Sequence, residues 1–168
     1  VSGASTITQQ LVKNLVLSPE QTPKRKAQEV RLARQLEEQL SKTEILELYL
    51  NRVYFGSGFY GLGAASRFYF GKDPKDLTLA EASLLATLPK APSRLALDDN
   101  MDGARQRQAY VLTEMLQAGF ITPESAQIAI SSDVTLAPEP EQDPQFGYVL
   151  DAVTERANDL LPALPDDL

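Results

Sequence analysis

Two stretches near the start of the chain decide its fold, STITQQLVKNL at residues 5–15 and TPKRKAQE at residues 22–29. In the first stretch, one isoleucine and two leucines recur at four-residue intervals, which predicts an amphipathic helix. The second opens with Thr-Pro, an N-cap followed by proline at the first helical position. It predicts another helix that continues to about Leu40.

The polar sides of these two helices predict a binding surface. Away from its apolar stripe, the first helix carries uncharged hydrogen-bonding groups and one cation: Thr6, Gln9, Gln10 and Lys13. The second places Arg25, Lys26 and Glu29 within about one turn. Such a surface suits a polar, anionic substrate such as a phosphorylated sugar. On spacing alone, the alternatives are a solvated ion-pair face and an ordinary polar helix start.

The remaining start signals predict a mainly α fold. Capping-box spacing at Ser41–Glu44 and at Thr78–Glu81 begins two helices, the second of which is apolar to about Leu88. Thr122-Pro123 begins another, and a longer helix is predicted over residues 102–119, ending near a glycine.

The segment from residue 52 to residue 71 is rich in glycine and aromatic residues, with five of the nine glycines and seven of the twelve aromatic residues. It predicts a glycine-bent loop that leads into a short helix over residues 61–70. Residues 56–61 read GSGFYG and match the dinucleotide-binding pattern GxGxxG. A helix rather than a strand is predicted before them, so we do not expect nucleotide binding there.

Composition limits the possible functions. The 168 residues are enough for about one domain, and they include no Cys and no His, which excludes disulfides and imidazole catalysis. The net charge is −7, but residues 133–168 alone carry −8, which leaves the rest at +1. An anion site in the first quarter is therefore plausible, whereas a nucleic-acid footprint over the whole chain is not. The longest uncharged run, residues 53–66, is too short to span a membrane.

Four motifs resemble signatures of the family 51 glycosyltransferases, the peptidoglycan transglycosylase domains of class A penicillin-binding proteins and of monofunctional transglycosylases. The similarity covers about residues 3–130. In chain order, the second to fifth signatures are matched by Gly3–Gln10 with Lys13-Asn14, by Arg25-Lys26-x-x-Glu29, by Lys42-x-x-Ile45-Leu46-x-x-Tyr49-Leu50-Asn51, and by Arg107-x-x-x-Val111-Leu112.

The chain also departs from the family pattern. The first signature, Glu-Asp-x-x-Phe-x-x-His, is absent, and with it the glutamate taken to be the catalytic base. Gln21 stands where many members have arginine, and Ala4 replaces the usual second glycine. We therefore expect this fragment to be inactive alone. We also expect residues 1–24 to be displaced or poorly ordered, because an upstream segment would normally pack against them.

The resemblance implies a mainly α, lysozyme-like transglycosylase domain that is truncated at its N-terminus. Residues 1–132 would form this partial domain, and residues 133–168 an acidic, proline-rich connector and weak helix leading toward a transpeptidase domain in cis. The implied enzyme is a peptidoglycan glycosyltransferase that polymerises lipid II into β-1,4 glycan strands and releases undecaprenyl diphosphate. It would act at the periplasmic face of the bacterial inner membrane, anchored by an upstream segment.

The resemblance also implies roles for individual residues. Substrate binding is expected of Ser5, Thr6, Gln9, Gln10, Lys13, Asn14, Arg25 and Lys26. Glu29 is the catalytic-site carboxylate, which would orient these cations or contact the donor. Tyr49, Asn51 and Arg107 are expected to be structural parts of their signatures.

No cofactor is expected to bind tightly and no protein metal site is expected, although Mg²⁺ or Mn²⁺ could accompany the substrate diphosphate. The expected partners are lipid II, the growing glycan strand, moenomycin-type inhibitors and the membrane, and not nucleic acid. Two alternatives remain: a lysozyme-like glycan hydrolase, and a non-catalytic helical module that binds glycan or a protein partner.

Overall fold

A computed structural model describes residues 5–16 and 22–138 of the chain. Within these ranges the elements are helical, and the predicted mainly α fold is confirmed. Two short 3₁₀ turns, Pro74–Asp76 and Leu88–Lys90, accompany the α-helices. The α-helices are α1 Ile7–Val16, α2 Pro23–Gln39, α3 Lys42–Leu50, α4 Leu62–Phe70, α5 Leu79–Leu85, α6 Pro92–Leu95, α7 Met101–Gln117 and α8 Pro123–Ser131. No helix in the described ranges is long and apolar enough to cross a bilayer.

The helices begin where the sequence places their caps. Thr22 accepts a hydrogen bond from the Arg25 amide at the start of α2, and Thr122 caps α8 in the same way. Both predicted capping boxes are formed, at Ser41 before α3 and at Thr78 before α5. Each box satisfies backbone N–H groups that the first helical turn would leave without a partner.

Helix α5 is shorter than predicted. It ends at Leu85 rather than near Leu88, and a 3₁₀ turn follows over Leu88–Lys90. The cause is Pro89, which has no N–H to donate to the carbonyl of Leu85, so the α-helical ladder cannot continue through it.

The prediction that residues 1–24 are displaced is wrong for α1. Leu11 is fully buried in the main core, and α1 packs against α2 and α3. Burying this side chain against two helices holds α1 in place. Residues 1–4 and 17–21, including Gln21, lie outside the described residues.

The main core lies between α1, α3, α4, α5 and the loop after α3. Its largest fully buried side chains are those of Tyr69, Phe55, Leu11, Leu84, Leu85 and Leu88. A smaller apolar cluster of Ala80, Leu112 and Ala129 lies where α5, α7 and α8 meet. Beside it, Gln108 is buried but satisfied, because its Nε2 donates to the Ala80 carbonyl (2.8 Å) and to Ser83 Oγ (2.9 Å).

The glycine-rich segment is a tight loop preceded by α3, and not by the strand that the dinucleotide-binding pattern requires. The loop is closed by backbone hydrogen bonds from Phe55 N to Phe59 O and from Gly61 N to Val53 O, both 2.9 Å. Gly61 has φ +85°, and a Cβ there would lie 2.9 Å from the Asn51 carbonyl oxygen. Only glycine fits at this point of close approach.

The chain after α8 stays on the domain surface through residue 137. Val134 and Leu136 pack against the main core, and the Ala137 N–H donates to the Tyr69 carbonyl at 2.8 Å. The domain boundary predicted at residue 132 stays a prediction, and most of the acidic connector, residues 139–168, lies outside the described residues.

Candidate functional site

One side chain joins the two polar stretches that the sequence singles out. The Lys26 ammonium on α2 donates to Ser5 Oγ (2.9 Å) and Gln9 Oε1 (3.4 Å) at the start of α1. It also donates to Glu29 Oε1, one turn further along α2. The residues that resemble the second and third signatures therefore form a single surface across α1 and α2.

Glu29 is the buried centre of this surface. Its side chain is only 3% exposed, and its carboxylate is paired with Lys26 and, at 3.9 Å from Oε2, with Arg25 Nη2. A buried carboxylate is costly unless it is paired and hydrogen-bonded, and here two cations provide that. The arrangement differs from a solvated ion-pair face, in which both partners would remain in water.

The two cations are presented differently. The Lys26 side chain is 49% exposed, so its ammonium can meet both Glu29 and a ligand from solvent. The Arg25 side chain is 12% exposed, and its Nε is buried without a hydrogen-bond partner among the described residues. Buried donors are usually satisfied, so Arg25 has bonding capacity that the described contacts do not use.

Tyr49 connects the fourth signature to the second. Its hydroxyl donates to Gln10 Oε1 at 3.4 Å, and Gln10 Nε2 donates to the Ser5 carbonyl at 3.3 Å. Burial raises the pKa of Tyr49, which keeps the phenol neutral and able to donate. Through this hydrogen bond, Tyr49 helps to hold the Gln10 side chain in place.

Three other predicted site residues lie at the start of α1 or on it, each with different contacts. Thr6 accepts the Gln9 amide at 3.2 Å, so its hydroxyl helps to begin α1. Lys13 is exposed on α1. Asn14 lines a cleft of about 500 Å³ together with Arg52, Tyr54 and Tyr60, side chains that we did not predict as site residues from the sequence.

The signal that could have identified these three residues is the aromatic, glycine-rich loop that directly follows the fourth signature. The loop brings the Tyr54 and Tyr60 rings to 4.7 Å between centroids. It also places them in the cleft beside Asn14 of α1.

The remaining signature residues lie away from the Lys26 contacts. Asn51 is the C-cap of α3, and its carbonyl faces Gly61. Arg107 lies on α7 with its guanidinium carbon 4.2 Å from the centre of the Tyr110 ring. The roles expected of all twelve site residues remain predictions. The cations Lys26 and Arg25 lie beside polar groups of α1 and its first turn.

The geometry suits binding of an anion more than proton abstraction. Lysine and arginine present N–H donors beside the neutral hydrogen-bonding groups of Ser5, Gln9 and Gln10. Glu29 is paired with two cations, which makes it a positioning group for them.

Comparison with known proteins agrees with the motifs. A family model described as transglycosylase matches residues 1–116. Over 139 residues the chain is 48% identical to penicillin-binding protein 1A of Aquifex aeolicus, covering 83% of this chain and 19% of that protein. It is 49% identical over 133 residues to penicillin-binding protein 1A of Neisseria gonorrhoeae, covering 79% and 17%.

A solved structure shares the fold. The crystal structure of penicillin-binding protein 1A from Haemophilus influenzae matches with a TM-score of 0.60 and 26% identity, over 90% of this chain and 20% of that one. The chain thus spans about a fifth of the length of the relatives it matches. Because the family model covers more than half of the chain, the chain belongs to the transglycosylase family.

Proposed function

We propose that the chain forms part of a peptidoglycan glycosyltransferase, which polymerises lipid II into β-1,4 glycan strands and releases undecaprenyl diphosphate. The observation that carries the proposal is the contact of Lys26 with Ser5, Gln9 and Glu29. Through this contact, the cations Lys26 and Arg25, which both pair with Glu29, lie beside neutral hydrogen-bonding groups. A sugar diphosphate offers the complementary groups, which are hydroxyls and charged phosphate oxygens.

The cations have a clear part in this reaction. When the 4-hydroxyl of one disaccharide attacks the anomeric carbon of the donor chain, negative charge grows on the departing diphosphate. Preorganised positive groups stabilise that charge where it develops. Lys26 and Arg25 are fixed by Glu29, and Lys13 lies exposed on α1. We propose that these three side chains hold the diphosphate.

The neutral groups would orient the donor. Ser5, Thr6, Gln9 and Gln10 would bond sugar hydroxyls and phosphate oxygens, and Asn14 would extend this set into the cleft lined by Tyr54 and Tyr60. Glu29 would keep the cations in position. The general base would be the glutamate of the family's first signature, which residues 1–168 do not contain.

We further propose that no cofactor binds tightly and that Mg²⁺ or Mn²⁺ arrives only with the substrate diphosphate. In support, no three acidic side chains converge as metal ligands within the ranges 5–16 and 22–138, and Glu29 is already paired with two cations. The proposed setting is the periplasmic face of the inner membrane, with a membrane anchor and a transpeptidase domain in the same protein.

The test is an assay of lipid II with a protein in which this chain is joined to the family's first signature. We expect glycan polymer to accumulate, and we expect Lys26→Ala to lower its rate at least 10-fold because a contact to the leaving diphosphate is lost. Lys24→Ala is the matched control, since Lys24 is exposed on the same helix.

Two results would reject the proposal. Release of short glycans from preformed polymer, without polymerisation, would indicate the hydrolase alternative, which needs carboxylates flanking the bond. Neither polymer nor release would indicate a non-catalytic binding module.

A further inference from the structure

We propose that a second, separate cleft of this domain binds a phosphate-bearing ligand. The cleft has a volume of about 470 Å³ and lies where the 3₁₀ turn Leu88–Lys90, α6 and α7 meet. Lys90, Arg94 and Arg107 line it, one from each element. It shares no lining residue with α1 or α2, so it is a site apart from the surface around Lys26.

The cleft carries positive charge that its own lining does not neutralise. No carboxylate lines it, and none of its three cations forms an ion pair with another residue of the described part of the chain. Asp99 and Asp102 adjoin lining residues in the sequence, but neither side chain lines the cleft. Cations that converge in a concave site without counter-charge raise the local concentration of anions.

The cations are carried on elements that are fixed to one another. Asn100 Nδ2 donates to the Arg94 carbonyl at 2.9 Å, and Asn100 Oδ1 accepts the Gly103 amide at 3.0 Å. One side chain thereby ties the end of α6 to the first turn of α7. A Cβ at Gly103 would lie 2.6 Å from Asn100 Nδ2, so the absence of a side chain there permits this tie. The backbones that carry Arg94 and Arg107 are therefore held in one arrangement.

Arg107 is oriented within this cleft. Its guanidinium lies over the Tyr110 ring, with 4.2 Å between the guanidinium carbon and the ring centroid. Contact with a ring face leaves the N–H edge of the guanidinium available to an oxygen ligand. Asn100 and Gln106 add neutral polar groups to the lining.

A phosphate group fits this chemistry better than a carboxylate does. Three cations can compensate up to two negative charges on a phosphate, and its tetrahedral oxygens can meet donors from three directions at once. The ligand could be free phosphate or the headgroup of an anionic lipid, which share this chemistry.

The experiment titrates inorganic phosphate into the Lys26→Ala chain at low ionic strength, while NMR follows the amides of Gly103, Gln106 and Tyr110. The Lys26→Ala background is used because the proposed function predicts weaker anion binding at α1 and α2 in this variant. We expect saturable shifts at these amides, with affinity at least about 10-fold weaker in Lys90→Gln/Arg94→Gln. Lys75→Gln, an exposed cation outside the cleft, should change the affinity less than about 2-fold.

Sedimentation with phosphatidylglycerol or phosphatidylcholine vesicles then separates the two sources. Binding to phosphatidylglycerol alone that is lost in the double variant indicates a lipid headgroup, whereas phosphate binding without vesicle binding indicates a free phosphate. The proposal is overturned if the cleft amides do not respond to phosphate, or if the double variant responds as the parent does.

Discussion

The Lys26 ammonium donates to the Glu29 carboxylate, and the two side chains differ sharply in exposure, at 49% and 3%. The pair therefore reaches from the interior of the domain to its surface. A buried charge fixes an exposed one, which in turn contacts Ser5, just before α1, and Gln9 of α1. These three contacts use all three N–H donors of the ammonium, so a ligand would replace one of them, such as the longer bond to Gln9, while Glu29 keeps the cation in place.

Glu29→Gln should lower both stability and turnover. The substitution keeps the shape but leaves Arg25 and Lys26 without their shared counter-charge. We expect a loss of about 1–3 kcal/mol in the free energy of unfolding, as for a buried hydrogen bond to a charged group. We also expect at least 10-fold slower glycan synthesis in a protein that includes the first signature.

Urea denaturation and the lipid II assay measure these two effects. Glu38→Gln is the control, because Glu38 is exposed on the same helix. If Glu29→Gln behaves like Glu38→Gln in both measurements, the buried pair has no special role.

Much of the fold could be predicted because its signals are local. The caps at Thr22, Ser41 and Thr78 depend on hydrogen bonds to residues three positions away, so the sequence displays both partners. The end of α5 differs because the apolar pattern continues to Leu88, whereas Pro89 already removes the N–H that would bond to the Leu85 carbonyl, a signal that is also local.

The site was harder to predict because its contacts are distant in sequence. Lys26 and Ser5 are 21 residues apart, and Tyr49 and Gln10 are 39 apart, so no helical period reveals these pairs. Periodicity also shows which side of α1 is apolar but not what covers it. Ile7 and Leu15 belong to the predicted stripe and are nevertheless 43% and 44% exposed, respectively.

Substitution of glycine by alanine should have opposite effects at two neighbouring positions. Gly61→Ala requires an alanine to adopt φ +85° and places its Cβ 2.9 Å from the Asn51 carbonyl oxygen. We therefore expect the free energy of unfolding to fall by about 2–4 kcal/mol. In Gly63→Ala the new methyl lies in α4 and meets no atom within 4 Å. We therefore expect the free energy of unfolding to increase by about 0.5–1 kcal/mol. Urea denaturation of both variants checks the prediction. Equal effects at the two glycines would contradict the geometry of the loop.

Glu81 should make stability depend on pH. Burial alone would raise its pKa, but hydrogen bonds from Lys72 and Thr78 outweigh burial and lower the pKa below its ordinary value of 4.5. A carboxyl group whose pKa is lower in the folded state stabilises the fold above its unfolded pKa. That contribution is lost as the pH falls through the folded pKa.

Glu81→Gln should therefore lower the free energy of unfolding by about 1 kcal/mol at neutral pH. The difference from the parent should shrink as the pH falls below 4.5, the ordinary pKa. Denaturation midpoints from pH 7 to pH 3 measure this difference. Glu44 lies in an exposed capping box and forms no ion pair among the described residues. Glu44→Gln should therefore lower the free energy of unfolding by less than Glu81→Gln does at neutral pH. A Glu81→Gln difference that stays constant with pH would show that the carboxylate charge is not responsible.

Residues 1–168 alone should make no glycan polymer from lipid II. They lack the first signature, whose glutamate would act as the general base, and such a base contributes roughly 10²–10⁴-fold in rate. Electrophoresis of the purified chain's reaction products is a sufficient measurement. Polymer made by these residues alone would show that a base is present among them.

The central claim, that Lys26 holds the donor diphosphate, is tested most directly by calorimetric binding of a moenomycin-type phosphoglycolipid. The protein should carry this chain together with the first signature. We predict that Lys26→Ala raises the dissociation constant about 10-fold or more, whereas Lys24→Ala changes it less than about 2-fold. Lys26→Ala also removes a partner of buried Glu29, so the melting temperature of each variant must be measured.

The double variant Lys26→Ala/Glu29→Gln, which leaves no buried carboxylate deprived of that partner, should recover stability relative to Lys26→Ala but not binding. An unchanged dissociation constant in Lys26→Ala would contradict the claim and leave the cluster as a structural ion pair.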